Sequence, residues 1–306
     1  MLLPRLARFI GHTDFLRLGV RTRVVSAFRP WNPDQGFPIS EEFYGSTYRG
    51  DISDYQDYCV HFLGGYELPE LKLMAEACGA VDDCVAYDIG MSTGHHTLVL
   101  ASVCTEVHGF EPFDRVRAVA EQRMIENRLE HVQIQGFGLG EKDERLPYFW
   151  DESNTNCMAG SFDPAHTNMP VHGHFEVRNG DRWRVSSKTR SPDFIKLDVE
   201  GFEAFALAGL RETLQASEPA ILTEISWDGF DNIEARGGLG KLIPYPFDLY
   251  RVLPGRDFMF FDFRGLRLAA IENIWRPDHW GYNVFVLPHS RRDQLEVLRK
   301  YSKLTS

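Results

Sequence analysis

Seven residues, Asp88-Ile-Gly90-Met-Ser92-Thr-Gly94, carry the strongest chemical signal in the chain. They follow the short apolar run CVAY and precede HTLVLASVC, which has helical character. Glycines in such a loop let the backbone approach a ligand, and the free N–H groups at the next helix start favour a polar one. A second acid, Glu111, ends the following apolar run 21 residues after Gly90. In a Rossmann-type sheet that position faces the ribose hydroxyls of an adenosine, and a carboxylate accepts from both. Phe137-Gly138 closes a third run and is placed to flank the adenine, with core packing as the alternative for Phe137.

The sign of the charge separates two adenosine cofactors. A dinucleotide site wants G-x-G-x-x-G against a pyrophosphate. Here the spacing is G-x-x-x-G with Asp88 just before it. An acid repels a pyrophosphate and attracts the amino group of a methionine moiety. The loop therefore points to S-adenosylmethionine rather than NAD, and an NAD-linked oxidoreductase is the disfavoured alternative.

A second group of acids suits an acceptor. Lys196, Asp198 and Glu200 alternate in DFIKLDVEG, so period-two geometry points them to one side. Asp198 and Glu200 stand at the carboxyl end of that run, where open α/β sheets bind ligands. Asp198 is the candidate base or acceptor-orienting group, with Glu200 in support. The alternative is that they cap the next helix or pair with Lys196. Glu224 ends the next strand and forms with Asp198 a pair of Mg²⁺ ligands; no third ligand is evident, so a metal is not favoured. His95 and His96 follow the loop at the helix start and read as surface or supporting groups, with contact of one to the cofactor or acceptor as the alternative. His172 and His174 lack the further Cys or His that zinc needs, and read as solvent-exposed or substrate-facing. Trp227 suits stacking on a sugar ring or plugging the core.

These residues need a scaffold that alternates strand and helix. From Cys84 the chain does so: CVAYDIG, the helix HTLVLASVC, EVHGFEP, a helix over 114–128, VQIQGFGLG, DFIKLDVEG, the helix FEAFALAGLRETL and AILTEIS. That order predicts a mostly parallel sheet with helices on both faces. DLYRVL, FMFFDF and NVFVLP read as two or three closing antiparallel strands. A loop-rich insertion over about 141–192 interrupts the alternation, with LPYFW and RWRVSS as small extra strands. It holds Asn154, Thr155, Asn156, Gly160, Ser161 and His166. Residues 1–80 are irregular and aromatic, expected as a cap or arm ahead of a domain over 81–306. They end in a helix through Leu68, Leu71, Leu73 and Met74 that stops near Gly79.

Charge is uneven. Residues 1–30 hold six arginines and one aspartate, so the other 276 carry −16 of the net −11. The acidic body argues against nucleic acid as partner. The basic start has Leu2, Leu3, Leu6, Phe9 and Ile10 at helical spacing. It reads as an arm packed on the body or on a second subunit of a homodimer, with a membrane-surface helix as the alternative. It lacks the compact apolar stretch and cleavage site of a secretory signal, and serine is too scarce for a transit peptide. No apolar run reaches 18 residues, so no transmembrane segment is expected. Five cysteines without a CxxC pair read as free thiols in a reducing cytoplasm.

Several blocks, in order, resemble the FkbM family of methyltransferases. YDIGMSTGHHTLVLA is similar to its glycine-loop opening and GFEP to its second-strand acid and proline. GFGLGEKD is similar to its third block. FIKLDVEGFEAFALAGL resembles its most distinctive segment, and PAILTEIS the next strand. Together these span roughly 84–226. Ser92 stands where that family often has Asn, and RWRVSSKTR replaces a short valine-leucine-aspartate run. The resemblance implies a Rossmann-like class I methyltransferase core with a seven-stranded sheet, and S-adenosylmethionine as methyl donor. It implies a hydroxyl of a sugar, glycan or natural product as acceptor, or, in some members, a peptide amide nitrogen.

Overall fold

The apolar run around Val85 is wholly buried, and everything else is arranged around it. The structure, a computed structural model, describes residues 2–150, 160–162, 170–256, 260–262, 264–278 and 281–302. Asn154, Thr155, Asn156, Cys157 and His166 lie outside the described residues.

Two helices open the chain, α1 (Leu2–Gly11) and α2 (Leu18–Phe28), followed by a hairpin of β1 (Pro38–Phe43) and β2 (Ser46–Asp51). Next come α3 (Tyr55–Leu63) and α4 (Leu68–Gly79), then the alternating core: β3 (Val85–Ile89), α5 (His95–Val103), β4 (Glu106–Phe110), α6 (Asp114–Glu126) and β5 (Val132–Gln135). The insertion supplies β6 (Gly138–Gly140), β7 (Glu144–Phe149), β8 (Val171–Asn179) and α7 (Gly180–Ser187). The core resumes with β9 (Phe194–Leu197), α8 (Glu203–Gly209), α9 (Arg211–Ser217) and β10 (Ala220–Ile225). The rest is α10 (Trp227–Ala235), α11 (Leu239–Leu242), β11 (Phe247–Leu253), β12 (Arg267–Ile271), β13 (Tyr282–Pro288) and α12 (Arg299–Ser302).

The main sheet has the order β12-β11-β13-β10-β9-β3-β4-β5. The five strands from β10 to β5 are parallel, and β13 enters antiparallel between β10 and β11. Eight strands stand where seven were expected, because β12 pairs with the outer edge of β11. Alternate residues face opposite layers: Ala86 and Phe194 join the core under α4 and α5, whereas Val85, Tyr87, Ile195 and Leu197 join the one under α7, α8 and α9. Helices therefore cover both faces.

Four expectations need correction. VQIQGFGLG is not one strand: after Gln135 the chain leaves the main sheet, and Gly138–Gly140 pairs with β8 in a separate three-stranded sheet. RWRVSS is helical in α7, because Asn179 caps it by accepting from the Arg182 N–H at 3.0 Å. FEAFALAGLRETL breaks at Leu210, outside helical geometry, into two short helices. FMFFDF lies partly outside the described residues, and the strand after β11 is Arg267–Ile271 instead. Residues 1–80 also share the core: Tyr48, Phe62, Leu71 and Leu73 are fully buried in the cluster that holds Leu98 and Phe194. The four described cysteines are buried and unbridged. No helix among the described residues is long and apolar enough to cross a membrane.

Candidate active site

The carboxyl ends of β3, β4, β9 and β10 surround a cleft of about 440 Å³. Gly90, Ser92, Glu111, Gly138, Asp198, Glu200 and Glu224 all line it. Residues separated by more than 130 positions in the sequence thus meet, because parallel strands deliver all their carboxyl ends to one edge.

The glycine-loop half is held by backbone bonds. The Gly90 and Met91 N–H groups donate to the Phe110 carbonyl at 3.0 and 3.2 Å. Gly90 has φ +81°, and a Cβ there would sit 1.8 Å from the Asp198 carbonyl oxygen. Glycine is thus required by the neighbouring strand, not only by a ligand. Ser92 adopts φ +49°, a left-handed conformation that asparagine shares more readily than most residues. Glu111 is buried and accepts from the Ser92 N–H at 3.0 Å and the Phe113 N–H at 2.9 Å. Burial raises its pKa to about 7, against those two hydrogen bonds. Each oxygen keeps a free lone pair beside the cleft.

Asp88, expected beside the methionine moiety, does not line the cleft. It is fully buried, accepts from Thr97 Oγ1 at 2.6 Å and lies 3.8 Å from Lys196 Nζ. Asp88 and Lys196 are cross-strand partners in β3 and β9, which places both on one face. Gly94, at φ +81°, caps α5 against Ala120 and Met124 of α6, away from the cleft lining. Phe137 packs in the core beside Phe110 and Trp183, with Arg178 stacked 4.1 Å above its ring; only its neighbour Gly138 lines the cleft.

The other half is acidic. Lys196 Nζ donates to the Gly90 carbonyl at 3.1 Å and lies 3.2 Å from Asp198 Oδ2. Burial alone would lower the Lys196 pKa; the Asp198, Asp88 and Glu67 carboxylates outweigh it and raise the value. Carboxylate oxygens of Asp198, Glu200 and Glu224 all lie within 4.8 Å of one another. Burial first, then Asp198 and Glu203, push Glu200 up to about 8. Burial, Asp198 and Glu200 push Glu224 up to about 9. The side chains of Glu200 and Glu224 make no hydrogen bond with a described residue, and neither does Asp198 Oδ1. Glu200 sits beyond the strand end at φ +51°, so the turn, not strand alternation, brings it back beside Asp198. The third carboxylate that a cation site lacked in the sequence is thus present in space.

The capping role belongs elsewhere. Glu203 is buried and accepts from the Val199 and Gly201 N–H groups at 3.1 and 3.2 Å, fixing the turn that carries Glu200. His96 lies 3.2 Å from Glu67 at the cleft wall; His95 is enclosed, stacked on Phe43 and bonded to the Tyr66 carbonyl at 3.2 Å. His172 is exposed on β8 with its ring beside Phe113 and Trp150. Trp227 stands half-exposed at the mouth with Arg276 4.1 Å above it.

Sequence reasoning missed Gln56, Tyr66 and Glu67, which close the cleft from α3 and the turn between α3 and α4, and Tyr148 and Phe162 from the insertion. Their only sequence signal is an aromatic-rich composition, which core packing produces as well.

Residues 83–258 match the model of the methyltransferase FkbM domain. Among solved structures the chain is similar to a methyltransferase FkbM from Methylobacillus flagellatus KT. The identity is 14%, over 92% of this chain and 58% of that one, at a TM-score of 0.42. It is also similar to an SAM-dependent methyltransferase from Agrobacterium tumefaciens, at 11% identity over 82% and 70% of the two chains and a TM-score of 0.45. This chain thus spans 58% of the length of the Methylobacillus protein. No curated protein sequence matches it.

Proposed function

The chain belongs to the FkbM methyltransferase family, and on that premise we propose that this S-adenosylmethionine-dependent enzyme methylates a hydroxyl on a sugar, glycan or natural product. The observation that carries the reading is Asp198. One of its oxygens is held by Lys196, and the other has no hydrogen bond within the described protein, at the junction of the glycine loop and the acidic half.

The residues present fit the cofactor. Ser92 Oγ is enclosed and has no partner among the described residues. Glu111 retains acceptor capacity for a ribose diol, and Gly138 and Leu139 offer a wall for the adenine. When bound, S-adenosylmethionine supplies a methyl group activated by a sulfonium. The chain's task is then alignment, which is worth roughly 7–11 kcal/mol when good, and removal of a proton from an alcohol far too weakly acidic to lose it unaided. Asp198 is the group proposed to orient and deprotonate the hydroxyl. Glu200 and Glu224 retain protons at neutral pH and donate hydrogen bonds to the acceptor's other oxygens.

Six acidic side chains and one lysine line the cleft, and with Glu200 and Glu224 protonated the balance is still negative. That sign suits a neutral acceptor and opposes nucleic acid, nucleotide sugars and the pyrophosphate of NAD. The test measures formation of S-adenosylhomocysteine with neutral glycosides, nucleotide sugars and peptides as acceptors. Methylated glycoside hydroxyls are expected. Methylation confined to peptide amides would replace the reading with N-methyl transfer. Titration with S-adenosylhomocysteine and with NAD checks the cofactor, and tight NAD binding would overturn the assignment.

A further inference from the structure

The basic start of the chain has a counterpart in shape that methyl transfer does not use. Ala7 and Val25 are buried and seat α1 and α2 on the body. The outer surface shows Phe9, 70% exposed, in a shallow groove with Arg5 and Arg8. The turn after α1 is tied to the connection between β11 and β12. Arg17 N donates to the Phe260 carbonyl and Asp262 N to the Phe15 carbonyl, both at 2.9 Å, and Leu16 bridges Phe261. There Phe15 and Phe260 stay 49% and 60% exposed. Exposed aromatic rings grouped on two joined segments mark a contact surface.

The place of this surface matters. β11 runs parallel to β10, because both are antiparallel to the β13 between them. The connection after β11 therefore emerges at the sheet edge where β9 and β10 present Asp198 and Glu224. α3, against which α1 packs, contributes Gln56 to the cleft.

We propose that this face docks on an anionic bilayer surface. Phe9, Phe15 and Phe260 enter the headgroup region, Arg5 and Arg23 meet lipid phosphates, and the cleft opens alongside the interface. Charge selects the occupant. Six arginines lie in the first 30 residues; Arg21 is buried beside Asp14 and Arg8 pairs with Glu41, which leaves Arg5 and Arg23 exposed, while the remaining body carries −16. A two-fold dimer through this face would set arginines against arginines. An anionic bilayer attracts this end and repels the rest, which orients the molecule. The inference is independent of the acceptor assigned above.

The test is co-sedimentation of the full chain with vesicles of phosphatidylcholine alone and with 30% phosphatidylglycerol. Wild type is expected to pellet only with the anionic vesicles and to be released by high salt. Arg5→Gln with Arg23→Gln lowers partitioning about 25-fold, at about five-fold per arginine. Phe9→Ser with Phe260→Ser also lowers it, while titration with S-adenosylhomocysteine confirms that both variants are folded. Wild type remaining in the supernatant at every composition, or pelleting unchanged in both double variants, overturns the proposal. So does a dimer in vesicle-free solution that Phe9→Ser with Phe260→Ser dissociates, which would assign the face to a second copy.

Discussion

The two halves of the cleft are built on opposite plans. At the β3–β4 end the loop is held by main chain: the Gly90 and Met91 N–H groups donate to the Phe110 carbonyl, and Glu111 accepts from two backbone N–H groups, while Ser92 Oγ has no partner among the described residues. At the β9–β10 end, three carboxyl groups crowd together and, among the described residues, only Asp198 has a cation. The first half has its geometry set by main chain, which suits the one ligand proposed for it. The second is left with unmet hydrogen-bonding capacity, which suits the acceptor proposed for it.

The largest expected effect strikes where the halves touch. Gly90→Val places side-chain atoms against the Asp198 carbonyl and strains a φ of +81°. Destabilisation of about 4 kcal/mol or more is expected, read as loss of the cooperative melt of the wild type. A variant with wild-type Tm would show that the halves are not rigidly joined. The Asp198 carbonyl, 1.8 Å from a Cβ at this position, is the reason the fold itself is expected to fail rather than ligand binding alone.

Asp198→Asn tests the acidic half. With Asp198 as base, single-turnover methyl transfer falls by roughly 10²–10⁴ while S-adenosylhomocysteine affinity holds. Near-wild-type turnover would leave alignment alone as the source of rate. Loss of wild-type activity in chelator, restored by Mg²⁺, would instead make the carboxylates cation ligands.

Glu111→Gln tests the other half. Loss of a charged acceptor toward the ribose is expected to weaken S-adenosylhomocysteine binding by about 1–3 kcal/mol, read by titration calorimetry. Unchanged affinity in a folded variant would remove Glu111 from the cofactor site.

The smallest effect is a pH slope. Glu224 is raised from its ordinary 4.5 to about 9 by burial and by its acidic neighbours. The folded chain therefore keeps a proton that the unfolded chain releases near 4.5. Stability from this group is full below that value and is lost as pH rises toward about 9. Tm should decline across this window, and Glu224→Gln should flatten the decline. An identical slope in the variant would mean that the crowding is relieved by solvent.

Much of the glycine-loop half of the cleft was legible because its determinants are local. Asp88 to Gly94 and Glu111 lie within 24 residues, and one strand–loop–helix unit fixes their relation. Even there, the side-chain direction of Asp88 was not legible. Its burial depends on Lys196 in a strand more than a hundred positions away. Phe137 shows the same limit, since its choice between adenine and core was made by Trp183 and Arg178 in the insertion.

By itself, then, the sequence determined the alternating core, the glycine loop, the strand-end acids and the basic first helices, because each rests on periodicity or on short spacing. Tertiary structure alone decided three things. It set Glu200 beside Glu224 through a turn at φ +51°, it closed the cleft with Gln56, Tyr66 and Glu67 from a segment that reads as a separate arm, and it joined the Phe15 turn to the connection after β11. These are contacts between elements far apart in the chain. Their energies come from packing and charge in three dimensions, and no local pattern encodes them.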